Sequence, residues 1–222
     1  MKKIKLLKQD FTYLPCLFFL LCSVCFLPDT VLSEGAAEEG IARIQKAYEN
    51  IEDMSGSFVQ KSYIKDLKRT ETFGGRFFIK RPLKMKWDYT GQQPQEVLIS
   101  NDRITIYQKK EKQAFTGKFD RDTYGQAPVA LLSGFGKMQE EFSVSGENGR
   151  LLLKPKKPMG GILSVEIEPS VGEFPIKSFT IKDSFSNRIE MTLKDVKINT
   201  GLKDTFFELS LPKDITTFEH KP

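Results

Sequence analysis

Beyond position 25 the chain has no cysteine: Cys16, Cys22 and Cys25 are the three it contains in 222 residues. No disulfide can staple the rest, and no thiol there can serve as nucleophile or metal ligand. Histidine is scarcer still. The one imidazole is that of His220, third from the C-terminus, so a histidine-built zinc site and a Ser-His-Asp triad both lack their parts. Internal repeats and low-complexity tracts are absent too, which excludes a solenoid or a long disordered linker.

The cysteines sit in a segment with its own grammar. Lys2, Lys3, Lys5 and Lys8 form a basic start, Tyr13 to Leu27 is an apolar run of 15 residues, and Val31-Leu32-Ser33 offers a small-residue cleavage site. The run is short for a bilayer-spanning helix, which needs about 20 residues. Neither Cys22 nor Cys25 follows the small residue that lipoprotein processing requires. Residues 1–33 are therefore expected to be a cleaved export signal, with cleavage near Ala37 or an uncleaved anchor as alternatives, and 34–222 a soluble exported domain long enough for a true core.

Loss of residues 1–33 removes four Lys and two Asp, leaving 30 basic and 27 acidic residues and a net charge of +3. So even a balance gives no footprint for nucleic acid, and none is expected as a partner. Carboxylate-only catalysis is the enzymatic chemistry the composition still permits. Most of the acidic residues alternate with Lys on strand faces and no pair stands out, so neither an enzyme nor a metal or cofactor is expected.

What remains is a patterned chain. In "EEGIARIQKAYENIEDMSG", from Glu38 to Gly56, Ile41, Ile44, Tyr48 and Ile51 recur at helical spacing; Glu38 and Glu39 suit a first turn, and Gly56 a helix end. The period then switches to two. "SFVQKSYI" and "ETFGGRFFIKRP" read as strands, the second with a bulge or bend at Gly74-Gly75. In "IKRPLKMKWDY", an extended chain after Pro82 places Met85, Trp87 and Tyr89 on one face and Lys84, Lys86 and Asp88 on the other. Strands over Glu96–Ser100, Ile104–Gln108 and Gln113–Phe119 follow, with a turn at Ser100-Asn101-Asp102. Pro128 opens a short apolar helix in which Val129, Leu132 and Phe135 share a face, loosened by Gly134 and Gly136.

The last third alternates throughout. It has a hairpin signal at Gly146-Glu147-Asn148-Gly149 and strands around Val165-Ile167 and Phe179-Ile181. A long strand follows whose phase shifts by one at Asp195, as a bulge would make it, and "FFELSLP" reads as a closing strand. The count, about ten or eleven short strands, exceeds what an open flat sheet tolerates. The expected fold is mainly β (α+β): a single curved antiparallel sheet forming an unclosed β-barrel, with helices covering its apolar concave face. Such a shape either packs solid or holds an apolar ligand.

The order of these features resembles the periplasmic lipoprotein carrier family, the LolA-type proteins. An amphipathic helix is followed by "F-x-Q" (Phe58-Val59-Gln60), then by a strand running into "K-R-P" (Gly75 to Pro82), then by "(F/M)-x-W" (Met85-Lys86-Trp87). The hairpin from Leu98 to Tyr107, the "P-x-x-L-L" of Pro128 to Leu132 and an "N-x-x-L" near the end, Asn199 to Leu202, continue the likeness from about residue 38 to 215. The resemblance implies a periplasmic carrier that shelters the acyl chains of lipoproteins. Its partners would be acylated lipoproteins, an inner-membrane lipoprotein-releasing ABC transporter and an outer-membrane lipoprotein acceptor; a monomer is expected. It assigns Arg81 to holding and gating the lid, with Val129–Phe135 as the helix held. The acyl-chain cavity would be lined by Met85, Trp87, Phe77, Ile79, Leu132, Phe135, Ile41 and Ile44. A basic surface at Lys84, Lys86 and Lys109-Lys110 offers itself for transporter docking. Related half-barrels bind envelope lipids or glycolipids as sensors or carriers, and that alternative stays open on sequence alone.

Overall fold

The structure, a computed structural model, describes residues 34–119 and 138–219. A helix, α1 (Glu34–Glu49), is followed by β1 (Asp53–Ile64), β2 (Arg69–Lys80), β3 (Lys84–Thr90), β4 (Gln95–Ser100), β5 (Arg103–Gln108) and β6 (Gln113–Lys118). A short helix, α2 (Met138–Glu141), leads into β7 (Phe142–Glu147), β8 (Arg150–Pro155), β9 (Ile162–Pro169), β10 (Ile176–Asp183) and β11 (Arg188–Ile198). A 3-10 turn, η1 (Asp204–Phe207), and β12 (Thr216–Glu219) complete the described chain.

All twelve strands join one sheet in the order β12-β6-β5-β4-β3-β2-β1-β11-β10-β9-β8-β7. At roughly 4.8 Å between neighbours, a flat sheet of this order would separate its edges by about 50 Å. Yet one buried cluster contains Ile104 of β5 and Phe142 of β7 together with Phe77, Trp87, Val165 and Met191 from the strands between. The sheet therefore curls around its apolar face without closing, since β12 and β7 remain edges. Against β7 and β8 lies α1, whose Ala37, Ile41, Ile44 and Tyr48, spaced four, three and four apart, are all buried.

Several expectations hold in detail. The phase shift in β11 is a bulge: Ser55 pairs with Lys197 and Ser57 with Lys194, so two residues face Gly56 alone, and Asp195 takes a φ of 51°. The β7–β8 hairpin turns on Asn148 and Gly149, both at positive φ, as a tight two-residue connection requires.

Others need correction. The helix ends at Glu49, and Gly56 lies inside β1 opposite Phe77. Gly74 and Gly75 make no bulge, because pairing to β1 and β3 runs through both without a shift. Close approach is what Gly75 and Gly56 provide instead. A Cβ on Gly75 would stand 2.0 Å from the Asp88 carbonyl oxygen and 3.0 Å from the Phe58 ring, and one on Gly56 would stand 2.9 Å from the Phe77 ring. "FFELSLP" is no strand either: both sides of β11 are taken by β1 and β10, so the chain after it crosses over the outer face. There Phe206 packs on Phe78 with ring centres 4.5 Å apart. A strand does form later, as β12, which adds to β6 in parallel and makes twelve among the described residues. The expected helix over Val129–Phe135 lies outside the described residues.

Candidate functional site: a helix-capped apolar face

Where β2 ends and the turn to β3 begins stand two adjacent cations, Lys80 and Arg81, that reach in different directions. A helix leaves its last four carbonyls without intrahelical donors. In α1 these belong to Lys46, Ala47, Tyr48 and Glu49. Asn50 donates its side-chain amide to Lys46 O at 2.9 Å and its backbone N–H to Ala47 O at 3.2 Å, and Ile51 N–H reaches Tyr48 O at 3.3 Å. The Arg81 guanidinium supplies the rest, with Nη2 to Tyr48 O at 2.5 Å and Nη1 to Glu49 O at 3.3 Å. Its own backbone N–H donates to Glu52 O at 2.9 Å. A positive charge at this end also complements the helix dipole.

Lys80 turns the other way. Its Nζ donates to Leu202 O at 2.7 Å and pairs with Asp204 at 2.8 Å, while Lys84 reaches the same carboxylate at 3.0 Å. These contacts pin the segment after β11. Buried Asp53 holds that segment from beneath: one carboxylate oxygen accepts Thr200 N–H at 2.8 Å and Thr200 Oγ1–H at 2.9 Å, the other Gly201 N–H at 2.8 Å and Leu202 N–H at 3.0 Å. Burial by itself raises this carboxyl's pKa, but the four donors outweigh it and hold it below the ordinary value. Asn199 completes the junction by accepting Glu52 N–H at 2.8 Å and donating to Asn50 O at 2.9 Å.

Asp53 and Asp204 were not singled out from the sequence, and Asn199 entered only as the first residue of the "N-x-x-L" likeness. The available signal was the turn-prone Asn199-Thr200-Gly201 directly after a strand. It predicts a turn and says nothing about the partner it meets.

Inside the curl, Phe77, Met85, Trp87, Ile41 and Ile44 come together in the buried cluster, with half-buried Ile79 packed against it. Leu132 and Phe135 lie outside the described residues. The Trp87 ring stacks on Phe77 at 5.4 Å and meets Phe58 edge-on at 4.6 Å. Farther along the stripe Tyr89 donates its hydroxyl to Gln60 Oε1 at 3.1 Å, and burial pushes the Tyr89 pKa well above its ordinary range. Where Ile41 meets the edge of this interior, a cleft of about 290 Å³ opens between α1, α2 and β7, lined also by Glu38, Gln139 and Phe142.

Arg81 is thus placed on the last turn of α1, while its expected partner Val129–Phe135 lies outside the described residues. The suggested basic docking surface is largely neutralised. Lys84 pairs with Asp204, Lys86 with Glu96 at 3.5 Å, and Lys109 bridges Asp88 at 2.8 Å and Glu96 at 2.7 Å. Cross-strand pairing places Asp88 directly opposite Glu96, so the lysines there answer a local acidic pair.

An open β-barrel with an apolar concave face, capped by an amphipathic helix whose end is fastened by one arginine, is the class of protein that this fold and site define. Known sequences and structures place it more narrowly. The family model described as "Outer membrane lipoprotein carrier protein LolA" matches residues 49–210, and the chain belongs to that family. The outer-membrane lipoprotein carrier protein of Alkalilimnicola ehrlichii is 26% identical over 217 residues, covering 91% of this chain and 92% of that one. The protein of the same name from Neisseria meningitidis serogroup C is also 26% identical, covering 89% and 94%. Among solved structures, an uncharacterized conserved protein from Thermus thermophilus superposes with a TM-score of 0.51 at 12% identity over 82% of this chain and 98% of its own, a likeness of fold alone.

Proposed function

We propose that this protein is a periplasmic carrier that takes the acyl chains of lipoproteins between α1 and the concave sheet and delivers them across the aqueous gap. The observation that carries the reading is the fastening of α1. Its apolar face covers the interior, while the carbonyls of its last turn are held by the side chain of Arg81. A cap held in this way can lift without breaking the sheet.

The physics sets the requirement. Each buried methylene is worth about 0.8 kcal/mol, so a long acyl chain does not cross water unaided. A carrier must cover the chain and still release it. Aromatic and Met side chains, here Phe77, Met85 and Trp87, suit a flexible ligand with few features of its own. Cargo would be loaded by an inner-membrane ABC transporter and passed to an outer-membrane acceptor, after export directed by residues 1–33 and cleavage near Ser33. Arg81 is the gating residue, and Met85, Trp87, Phe77, Ile79, Ile41 and Ile44, with Leu132 and Phe135, line the space the chains occupy. The family match favours this reading over a general envelope-lipid or glycolipid binder, and it involves no catalytic step.

Native mass spectrometry of the protein recovered from the periplasm without detergent tests it. A lipoprotein-sized adduct whose occupancy changes in Arg81→Leu is expected. Free protein alone, or a bound phospholipid indifferent to the substitution, would overturn the reading.

A further inference from the structure

Trp87 is fully buried, and its indole Nε1–H has no hydrogen-bond partner among the described residues. Buried donors are nearly always paired, so an open one marks a place where an acceptor belongs. The rings of Phe77 and Phe58 beside it offer π faces and C–H edges only. Other polar groups on the same stripe are already engaged with one another: Tyr89 donates to Gln60 Oε1, and Gln60 Nε2 donates to Ser62 Oγ at 3.0 Å.

The chemistry of the missing partner follows from its surroundings. It must bring a lone pair into an aromatic wall without bringing a charge or a proton that would itself need a partner there. A phosphate fails on charge and a sugar hydroxyl on its proton. An alkyl chain leaves the donor unmet. The carbonyl of a fatty-acyl ester meets every condition and is a stronger, more accessible acceptor than an ether oxygen.

We propose that Trp87 is a specificity-determining residue of the cavity, its indole N–H donating to the carbonyl oxygen of an ester-linked acyl chain. This rests on the carrier reading above and adds which atom of the cargo is recognised. The bond sets how deep the chains sit, because the carbonyl marks the point where hydrocarbon ends and the glycerol linkage begins.

Two synthetic probes separate this inference from the reading beneath it: a cysteinyl peptide bearing two ester-linked palmitoyl chains, and its twin with ether-linked hexadecyl chains. Affinities are measured by displacement of a fluorescent fatty acid from the purified protein and from Trp87→Phe. Because Trp87 is the one tryptophan in the chain, a single indole resonance in a 15N–1H spectrum reports its hydrogen bond directly. The ester probe should bind about fivefold tighter than the ether probe. That ratio should fall to near one in Trp87→Phe, and the indole proton should move downfield with the ester probe only. Equal binding of both probes to the wild type, or a ratio that survives the substitution, would overturn the inference and leave the carrier reading standing. If neither probe binds, the carrier reading fails and the inference with it.

Discussion

Arg81 and Tyr48 lie 33 positions apart in the chain, and the guanidinium of one caps the carbonyl of the other at 2.5 Å. With its second bond to Glu49 O, Arg81 finishes a helix end that α1 cannot finish by itself. Replacing it with Leu should fray that turn. We expect amide exchange there to accelerate about threefold to tenfold, with a stability loss of about 1 kcal/mol. Arg81→Lys, which keeps the charge but not the fork, should fall between. Unchanged protection of residues 45–49 by hydrogen–deuterium exchange would count against the capping role.

Gly74 and Gly75 are neighbours with opposite tolerances. A Cβ on Gly74 meets only the Phe58 carbonyl oxygen at 3.5 Å, whereas one on Gly75 collides with the Asp88 carbonyl at 2.0 Å and with the Phe58 ring. Gly75→Ala should cost about 2–3 kcal/mol by overpacking. Gly74→Ala should stay within about 0.5 kcal/mol of the wild type. Urea melts of the pair decide it, and equal effects would show that the β3 backbone gives way at Asp88.

Asp53 ties the start of β1 to a segment nearly 150 residues later. Asp53→Asn puts an amide among donors and should destabilise by about 2–4 kcal/mol at neutral pH. The carboxyl's folded pKa is lowered, so its contribution is present above its ordinary value of 3.8 and disappears as pH falls through the folded value. The gap between wild type and variant should therefore be wide at pH 7 and narrow below that range. A series of melts from pH 7 downward through the acid range would show it.

Lys109 stands between Asp88 and Glu96, and burial, which lowers its pKa, is outweighed by the hydrogen bonds and charge of the two carboxylates, which raise it. Lys109→Gln leaves the cross-strand acids facing each other, attended among the described residues by Arg76 at 3.7 Å from Asp88 and Lys86 at 3.5 Å from Glu96. A loss of about 1 kcal/mol is expected at low ionic strength, shrinking in 1 M salt as screening weakens the repulsion. A salt-independent loss would assign the effect to packing of the lysine stem.

The stripe of Met85 and Trp87, the apolar face of α1, the bulge at Asp195 and the hairpin at Asn148-Gly149 could all be read from local pattern. Each follows from a period of two or 3.6 residues, or from a turn chemistry, and these act over a few neighbours at a time. The curl of the sheet was also within reach, since so many one-sided strands have no other way to bury an apolar face.

Partnership was not. "FFELSLP" alternates like a strand and becomes a crossing segment, because β11 has no free edge and Lys80 and Lys84 hold Asp204 on the outer face. Gly75 resembles a bend and turns out to be a seat for the Phe58 ring, a matter of cross-strand register. Asp53, one more acid in a charged chain, is singled out only when the fold brings Thr200, Gly201 and Leu202 to it. The distinction is one of range. Composition and periodicity act along the chain and mark most of the elements and which side of each is apolar, whereas hydrogen bonds such as those of Arg81 and Asp53 exist only after distant segments have met.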